Sequence, residues 1–182
     1  TGWLKSAGML MPMGYLIANG VAEVSGDQEE IDSLRTTIEN HFGNATIPSS
    51  GDIYYGYSGA FRCMTEGQGD VAFAKTSSYE DHCQDNDWCL DISEYRMLEP
   101  SFGMVPSHPV MINPEHLGPE KKATIIEALL ALNVDPNGQD ILASILNCDG
   151  LTTVETHDHL GSYSSAISAI PGIEKYFEEK YG

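Results

Sequence analysis

The chain has 182 residues, enough for one ordinary domain or two small half-domains. Its 27 acidic residues against 9 basic ones give a net charge of −18, which argues against a nucleic-acid ligand because phosphate binding needs clusters of Lys and Arg. The acidic charge is typical of a surface that attracts cations or is adapted to salt, and equally of a solvated surface without a specific partner. No apolar run reaches the roughly 18 residues of a membrane-spanning helix. The sequence starts abruptly at Thr1 without a signal peptide, so we expect a longer precursor.

The cysteines and one sequon indicate the compartment. There are four cysteines, Cys63, Cys83, Cys89 and Cys148, and the short loop between Cys83 and Cys89 suits a disulfide in an oxidising compartment. Zinc ligation is the competing interpretation, but no CxxC pair supports it. Residues 44–46, Asn-Ala-Thr, form a glycosylation sequon. We therefore expect a secreted, periplasmic or cell-surface glycoprotein.

The chain opens with a loop of small residues that leads into an apolar helix, predicted from about Ser6 to Ala18. A helix N-terminus after small residues presents free N–H groups and a positive dipole, which suit an anion. Thr1 adds a hydroxyl and Lys5 a charge to the same place. Capping of the helix alone is the alternative explanation of this pattern.

A second helix is predicted over residues 27–42, where apolar side chains recur at helical spacing. The central stretch, residues 52–78, places Tyr57 between Gly56 and the pair Ser58–Gly59, where small neighbours allow other groups to approach the phenol. Such a tyrosine is either a hydrogen-bonded core residue or a functional one. A short apolar strand, GDVAFAK, follows and ends at Lys75.

The rest of the chain alternates loops, strands and helices. An acidic loop that contains cysteines follows, and its His82 is either a metal ligand or part of a solvated loop. Two further strands are predicted within residues 94–113. Helices are predicted over 119–133, within 135–151, and on both sides of Pro171–Gly172. Strands alternating with helices predict an α/β domain with a mixed β-sheet flanked by helices. No nucleophile–base pair or acid–base dyad can be assembled, so an enzyme is not expected.

The sequence of the central stretch, GYSGAFRC followed by GQGDVAFAK, resembles the transferrin family. The segments WCLD, MVPSHPVMI and LGSYSSAISAI further along the chain resemble it as well. The resemblance implies that Tyr57 is an Fe(III) ligand and that Lys75 lies just beyond the ligands. The start of the chain is similar to the loop that holds carbonate in this family, and implies that Thr1, Lys5, Ala7 and Gly8 bind the carbonate. Lys5 stands where the family has Arg, which keeps the charge but removes the bidentate fork.

The resemblance also implies a ligand set of Asp, two Tyr and His around carbonate, of which only Tyr57 has a matching position. The family's Pro-His-Gly aligns with residues 136–138, which places Asn137 at the histidine position and implies altered coordination or no iron. His157 and His159 are an alternative metal pair if they share one side of a strand, and otherwise part of a surface loop.

The fold implied by the resemblance is that of a periplasmic-binding-protein type II-like half-lobe, in which a ligand lies between two α/β halves. We expect residues 1–134 to form the second half-domain and residues 135–182 to return to the first half. Because the latter segment carries helices but no strands, its apolar residues need a partner surface: Ile141, Leu142, Ile145, Leu146, Ile167 and Ile170. We expect this surface, and a cysteine partner for Cys63 that the family has just upstream of the loop, in a missing N-terminal half-lobe.

Three functions remain open. The first is transferrin-like binding of ferric iron with carbonate for iron uptake or transport, with a cell-surface receptor or transporter as partner. The second is a solute-binding protein for an oxyanion such as phosphate or phosphonate, which needs the anion loop but no tyrosine ligand. The third is a degenerate lobe that acts through protein interaction. Tyr57, Lys75 and the acidic charge favour the first, whereas Asn137 and Lys5 favour the other two.

Overall fold

The computed structural model describes residues 1–84, 86–113 and 115–182. Within it the chain divides into two units, Thr1–Val105 with Gly161–Gly182, and Pro106–Leu160. The predicted boundary at residues 134 and 135 concerns the two halves of a lobe, and it stays a prediction.

Helices account for the regular structure of the first unit. A π-helical segment, Ser6–Leu10, runs directly into α1, and the helix expected from Ser6 to Ala18 is thereby confirmed. The elements are the π-helical segment Ser6–Leu10, α1 (Met11–Ala18), α2 (Ser33–Phe42), α3 (Gly56–Thr65), α4 (Ser78–His82) and a 3₁₀ turn, Ile92–Glu94. The helix predicted over 27–42 begins only at Ser33, because the Asp27 side chain accepts from the Glu29 amide and fixes a turn there.

The second unit and the C-terminal segment are also helical. They contain α5 (Pro119–Ala131), α6 (Pro136–Ile141) followed by a π-helical segment (Leu142–Leu146), α7 (Thr156–Ile167) and α8 (Ile173–Tyr181). The predicted break at Pro171–Gly172 is confirmed, since Gly172 separates α7 from α8 with φ of 61°. Its amide donates to the Gln28 carbonyl at 2.8 Å, which fixes the break against the N-terminal part of the first unit.

The predicted mixed β-sheet is wrong for this chain. Neither the segment GDVAFAK at residues 69–75 nor residues 94–113 form strands, and no strand occurs in residues 1–84, 86–113 and 115–182. A strand exists only where a neighbouring strand pairs with its backbone N–H and C=O groups. The segment around Phe73 is held instead by side-chain packing, with ring centroids 5.7 Å from Phe102 and 5.8 Å from Phe42.

A core forms in the first unit where the C-terminal segment packs on α1. Met13 and Leu34 are 1% and 0% exposed, and Ile167 and Ile170 are 5% and 3% exposed in the same cluster. Burial of each such side chain contributes about 1.5–3 kcal/mol. The expectation that Ile167 and Ile170 lack a partner within the chain is therefore wrong.

The apolar residues at the end of α6 and directly after it behave differently. Leu142 is 2% exposed within the second unit, whereas Ile141, Ile145 and Leu146 are 48%, 73% and 52% exposed. For these three side chains, the need for a covering surface stays a prediction.

The contact of α1 with α7 requires a glycine. A Cβ atom added to Gly14 would overlap the carbonyl oxygen of Ala166, which is too close for any side chain. Gly14 thus sets the approach of α7 to α1, the helix that extends from the candidate anion loop.

Candidate functional site

Tyr57 lies in the first turn of α3, a helix that the sequence did not predict. The turn starts from Tyr55, which is extended, and Gly56, which has φ of 79°. A Cβ atom on Gly59 would overlap the backbone of Tyr54, so the chain entering the helix packs tightly against its first turn. The GYSGA sequence therefore forms a helix start in which Tyr57 is half-buried.

Lys75 lies beside Tyr57 although the strand predicted to carry it does not form. Its Nζ atom is 4.9 Å from the centroid of the Tyr57 ring, within the range of a cation–π contact. Because Lys75 is exposed, this contact contributes about 0.5–1 kcal/mol. The structure thus brings together these two of the predicted site residues.

The candidate anion loop forms the N-terminus of the segment Ser6–Leu10. The Met9 and Leu10 amides donate to the Lys5 carbonyl at 2.9 and 3.0 Å, and Lys5 has an extended conformation. Within residues 1–84, the amides of Ser6, Ala7 and Gly8 have no hydrogen-bond acceptor. These three donors are the unpaired N–H groups that a helix start leaves available to an anion.

The hydroxyl of Thr1 is a second unsatisfied group at the same place. Its Oγ1 atom is buried and has no hydrogen-bond partner. A Cβ atom added to Gly8 would overlap this hydroxyl, so Thr1 lies directly against the glycine of the helix start. A buried hydroxyl without a partner is costly, by about 1–3 kcal/mol, unless a further acceptor or donor is supplied.

One backbone hydrogen bond connects the loop to the tyrosine helix. The Gly56 amide donates to the Thr1 carbonyl at 2.9 Å. Lys5 is exposed, and its Nζ atom is 5.4 Å from the Tyr55 ring centroid, next to the start of α3. The structure thereby places Thr1, Lys5, Gly8 and Tyr57 in one region of the first unit.

The pKa of the Tyr57 phenol depends on its surroundings in this region. Burial raises the pKa of its phenol above the usual value of 10.0, the positive charge of Lys5 acts in the opposite direction, and Tyr163 raises it further. Tyr57 is therefore protonated at neutral pH unless a bound cation stabilises the phenolate.

Sequence reasoning missed Tyr163 as a neighbour of this region. Its hydroxyl donates to Ser6 Oγ at 2.9 Å, and its phenol affects the pKa of Tyr57. The two hydrogen-bonded residues are 157 positions apart, and no local pattern encodes such a contact.

Two other predicted residues lie in other elements of the chain. Asn137 is exposed in the second unit, in the first turn of α6, where the Asp135 side chain accepts from the Gly138 amide at 2.8 Å. His82 ends α4 and is half-buried. The proposed role of each stays a prediction.

The pairing of His157 and His159 on one side of a strand is wrong, and so is the surface-loop alternative. Both residues lie in α7, where positions two apart point to different sides. His157 contacts Asp158 at 3.4 Å, whereas the His159 Nε2 atom hydrogen-bonds the Ser107 carbonyl at 2.9 Å. No group of three or more His, Cys, Asp or Glu side chains among the described residues is arranged to hold a metal ion.

Cys83 and Cys89 form a disulfide, as their short loop suggests, while Cys63 and Cys148 are half-buried and have no disulfide partner among the described residues. No helix in the described ranges has the length and apolar character needed to cross a membrane.

Comparison with known proteins places these features in a family. Residues 25–116, about half the chain, match the family model for transferrin. The chain belongs to the transferrin family. The matched region includes Tyr57 and Lys75, but not the loop at Thr1–Gly8 or Asn137.

Individual relatives agree with this assignment. The chain is 28% identical to melanotransferrin of Homo sapiens over 160 residues, which cover 62% of the chain and 21% of that protein. It is 36% identical to serotransferrin of Oryzias latipes over 137 residues, covering 61% of the chain and 19% of the relative. The alignment to serotransferrin-A of Xenopus laevis is 26% identical over 211 positions and covers 93% of the chain and 29% of the relative. The chain thus spans about a fifth to three tenths of these transferrins, and no solved structure matches it.

Proposed function

We propose that this transferrin-family chain contributes to a site that binds ferric iron together with carbonate, for iron uptake or transport. The observation that carries the proposal is the cluster in the first unit, where one hydrogen bond joins the unsatisfied anion loop to the helix of Tyr57. The Tyr57 phenolate acts as an iron ligand in this proposal, and the loop holds the carbonate.

The donor chemistry fits ferric iron as cargo. Fe(III) is a hard cation and favours oxygen donors such as phenolate and carbonate. Since burial raises the pKa of Tyr57, the phenol must lose its proton when iron binds, which makes binding weaker as the pH falls. Acid release of the iron follows from this linkage.

The anion loop fits carbonate through its unpaired donors. The amides of Ala7 and Gly8 and the hydroxyl of Thr1 are available, and Lys5 supplies the positive charge. A bound anion would satisfy the buried Thr1 hydroxyl, which otherwise costs stability. Lys5 also stabilises the phenolate form of Tyr57, so anion and tyrosine share one cation.

Lys75 has a supporting role in this proposal. Its ammonium group contacts the ring of Tyr57 and not a ligand atom, so it adjusts the charge around the phenolate from outside the coordination shell. Asn137 lies in the second unit, and its place as an altered ligand position stays a prediction. The remaining ligands are expected from an N-terminal half-lobe, on the same precursor or another chain.

The proposed compartment is the cell exterior or cell surface, with a receptor or transporter that takes the cargo. The disulfide supports an oxidising environment. Asn44 and Thr46 of the sequon are both exposed, which allows N-glycosylation. We propose a binding role without catalysis.

A ferric titration with and without bicarbonate tests the proposal. Iron bound to Tyr57 should give a visible tyrosinate-to-iron charge-transfer band that depends on bicarbonate. The band should be lost in Tyr57→Phe and kept in Tyr181→Phe, a control tyrosine whose side chain is 71% exposed in α8. A band that is unchanged in Tyr57→Phe would refute Tyr57 as a ligand.

The anion loop alone supports a second candidate, an oxyanion carrier. The unpaired Thr1 hydroxyl and the free amides need only an anion and no metal. Tight phosphate or phosphonate binding without a ferric band would favour this function. If neither iron nor oxyanion binds, a lobe that acts through protein interaction becomes the best account.

A further inference from the structure

A cavity in the first unit lies next to Lys5, which lines it, whereas Thr1 and Tyr57 do not. The cavity has a volume of about 280 Å³. It is bounded by the start of the chain, by Tyr55 and by α8. Leu10 and Ile173, which are 2% and 3% exposed, form its apolar floor.

Aromatic rings and two lysines form the walls of this cavity. Lys180 donates to the Tyr176 hydroxyl at 2.6 Å and lies 5.1 and 5.5 Å from the ring centroids of Tyr176 and Tyr181. Lys5 occupies a similar position over Tyr55. Both ammonium groups are therefore attached to aromatic faces at the edge of one cavity.

In the part of the chain that the structure describes, neither lysine at this cavity is neutralised by a carboxylate. The chain has three acidic residues for each basic one, with 27 against 9. Within residues 1–84, 86–113 and 115–182, Lys175 and Arg62 each pair with a carboxylate, but neither Lys5 nor Lys180 does. Two ammonium groups without a carboxylate partner in these ranges line the same cavity, which favours a negative ligand there.

We propose that this cavity binds a small planar aromatic carboxylate. The carboxylate would interact with Lys180 and Lys5, and the ring would lie against Tyr55 and Tyr176 above the apolar floor. Ligand cavities generally have volumes of about 300–1,000 Å³, so this cavity, just below that range, fits one ring and not a nucleotide. The inference does not depend on iron or on Tyr57.

Calorimetric titration of the metal-free protein with benzoate tests the inference. Acetate has the charge without the ring, and benzamide has the ring without the charge. Both should bind at least about tenfold more weakly than benzoate, since each lacks one of the two interactions. Equal affinity for acetate and benzoate, or no benzoate binding at millimolar concentration, would overturn the inference.

Variants within α8 provide matched controls. Lys180→Gln should weaken benzoate binding about tenfold, because it removes a charged hydrogen-bond donor at an exposed position. Lys175→Gln changes the same residue type in the same helix, at a lysine that pairs with Glu30 at 2.6 Å and does not line the cavity, and should leave the affinity unchanged. Equal effects of the two substitutions would refute the assignment.

Tyr57→Phe separates this inference from the proposed iron function. It should abolish the ferric band while benzoate affinity stays the same, since Tyr57 does not line the cavity. A loss of benzoate binding in Tyr57→Phe would contradict a site that does not involve Tyr57.

Discussion

The amide of Gly56 donates to the carbonyl of Thr1 at 2.9 Å, and this bond joins two segments that are far apart in sequence. On the Thr1 side lies the unsatisfied start of a helix, and on the Gly56 side lies the turn that carries Tyr57. A ligand that orders one of these segments therefore affects the position of the other. This relationship gives a physical reason why an anion and a metal ion would bind together.

The Thr1 hydroxyl should have opposite effects on stability and on anion binding. Thr1→Val keeps the shape but removes a buried hydroxyl without a partner, so the anion-free protein should gain about 1–3 kcal/mol in its free energy of unfolding. The stabilisation by bicarbonate should decrease in the same variant, because one donor is lost. Thermal unfolding with and without bicarbonate measures both effects, and a destabilised anion-free variant would contradict this account.

The pH dependence of iron binding should follow from Tyr57. Because burial raises the pKa of Tyr57 above 10.0, each iron bound at neutral pH should release this proton, and the apparent affinity should rise with pH. Proton release measured in weak buffer should decrease by about one per iron in Tyr57→Phe. Unchanged proton release in this variant would show that the phenol does not bind the metal.

Alkaline titration of the metal-free protein tests the same tyrosine independently. Lys5 lowers the pKa of Tyr57, so Lys5→Gln should raise it further. The raised pKa also means that the protonated phenol favours the folded state below pH 10.0 and that this contribution is lost as the pH rises through the folded-state value. The difference in tyrosinate absorbance between each protein and its Tyr57→Phe form measures the shift, and a lowered value in Lys5→Gln would contradict the prediction.

Helix periodicity was sufficient to predict several elements of this chain, but not the sheet. The helix from Ser6 to Ala18 and the break at Gly172 follow from local signals, namely apolar spacing and a glycine that adopts positive φ. The residues GDVAFAK have strand composition, yet a strand depends on a partner that no local pattern supplies. No helix was predicted at GYSGA because its glycines, which are poor helix formers, conceal the start of α3.

Local sequence patterns were likewise insufficient to predict the whole candidate site. Sequence motifs shared with transferrins singled out Tyr57 and Lys75. In the structure the Lys75 Nζ atom lies 4.9 Å from the centroid of the Tyr57 ring. The contact of Tyr163 with Ser6 connects positions near opposite ends of the chain, so it could be found only from the fold. The pairing of His157 with His159 failed because a period of two applies to strands and both residues are in a helix.

The glycine at the α1–α7 contact should not tolerate a side chain. Gly14→Ala would place a methyl group against the Ala166 carbonyl, and the resulting displacement should cost about 1–3 kcal/mol. Gly118→Ala is the matched control, because nothing lies within 4 Å of its added Cβ atom and its φ is −67°. Urea unfolding measures the difference, and equal stability of the two variants would contradict the packing of α7 on α1.

Thr37 should be the most sensitive hydroxyl of the first unit. Its side chain is fully buried, accepts from the Ser25 amide at 2.9 Å and donates to the Ser33 carbonyl at 2.8 Å. Thr37→Val keeps the volume but leaves the Ser25 amide unpaired, so the free energy of unfolding should fall by about 1–3 kcal/mol. Thr36→Val makes the same change at an exposed neighbour in α2 and should shift it by less than about 0.5 kcal/mol. Similar losses in both variants, measured by urea unfolding, would mean that valine disfavours the helix and that the buried hydrogen bond contributes little.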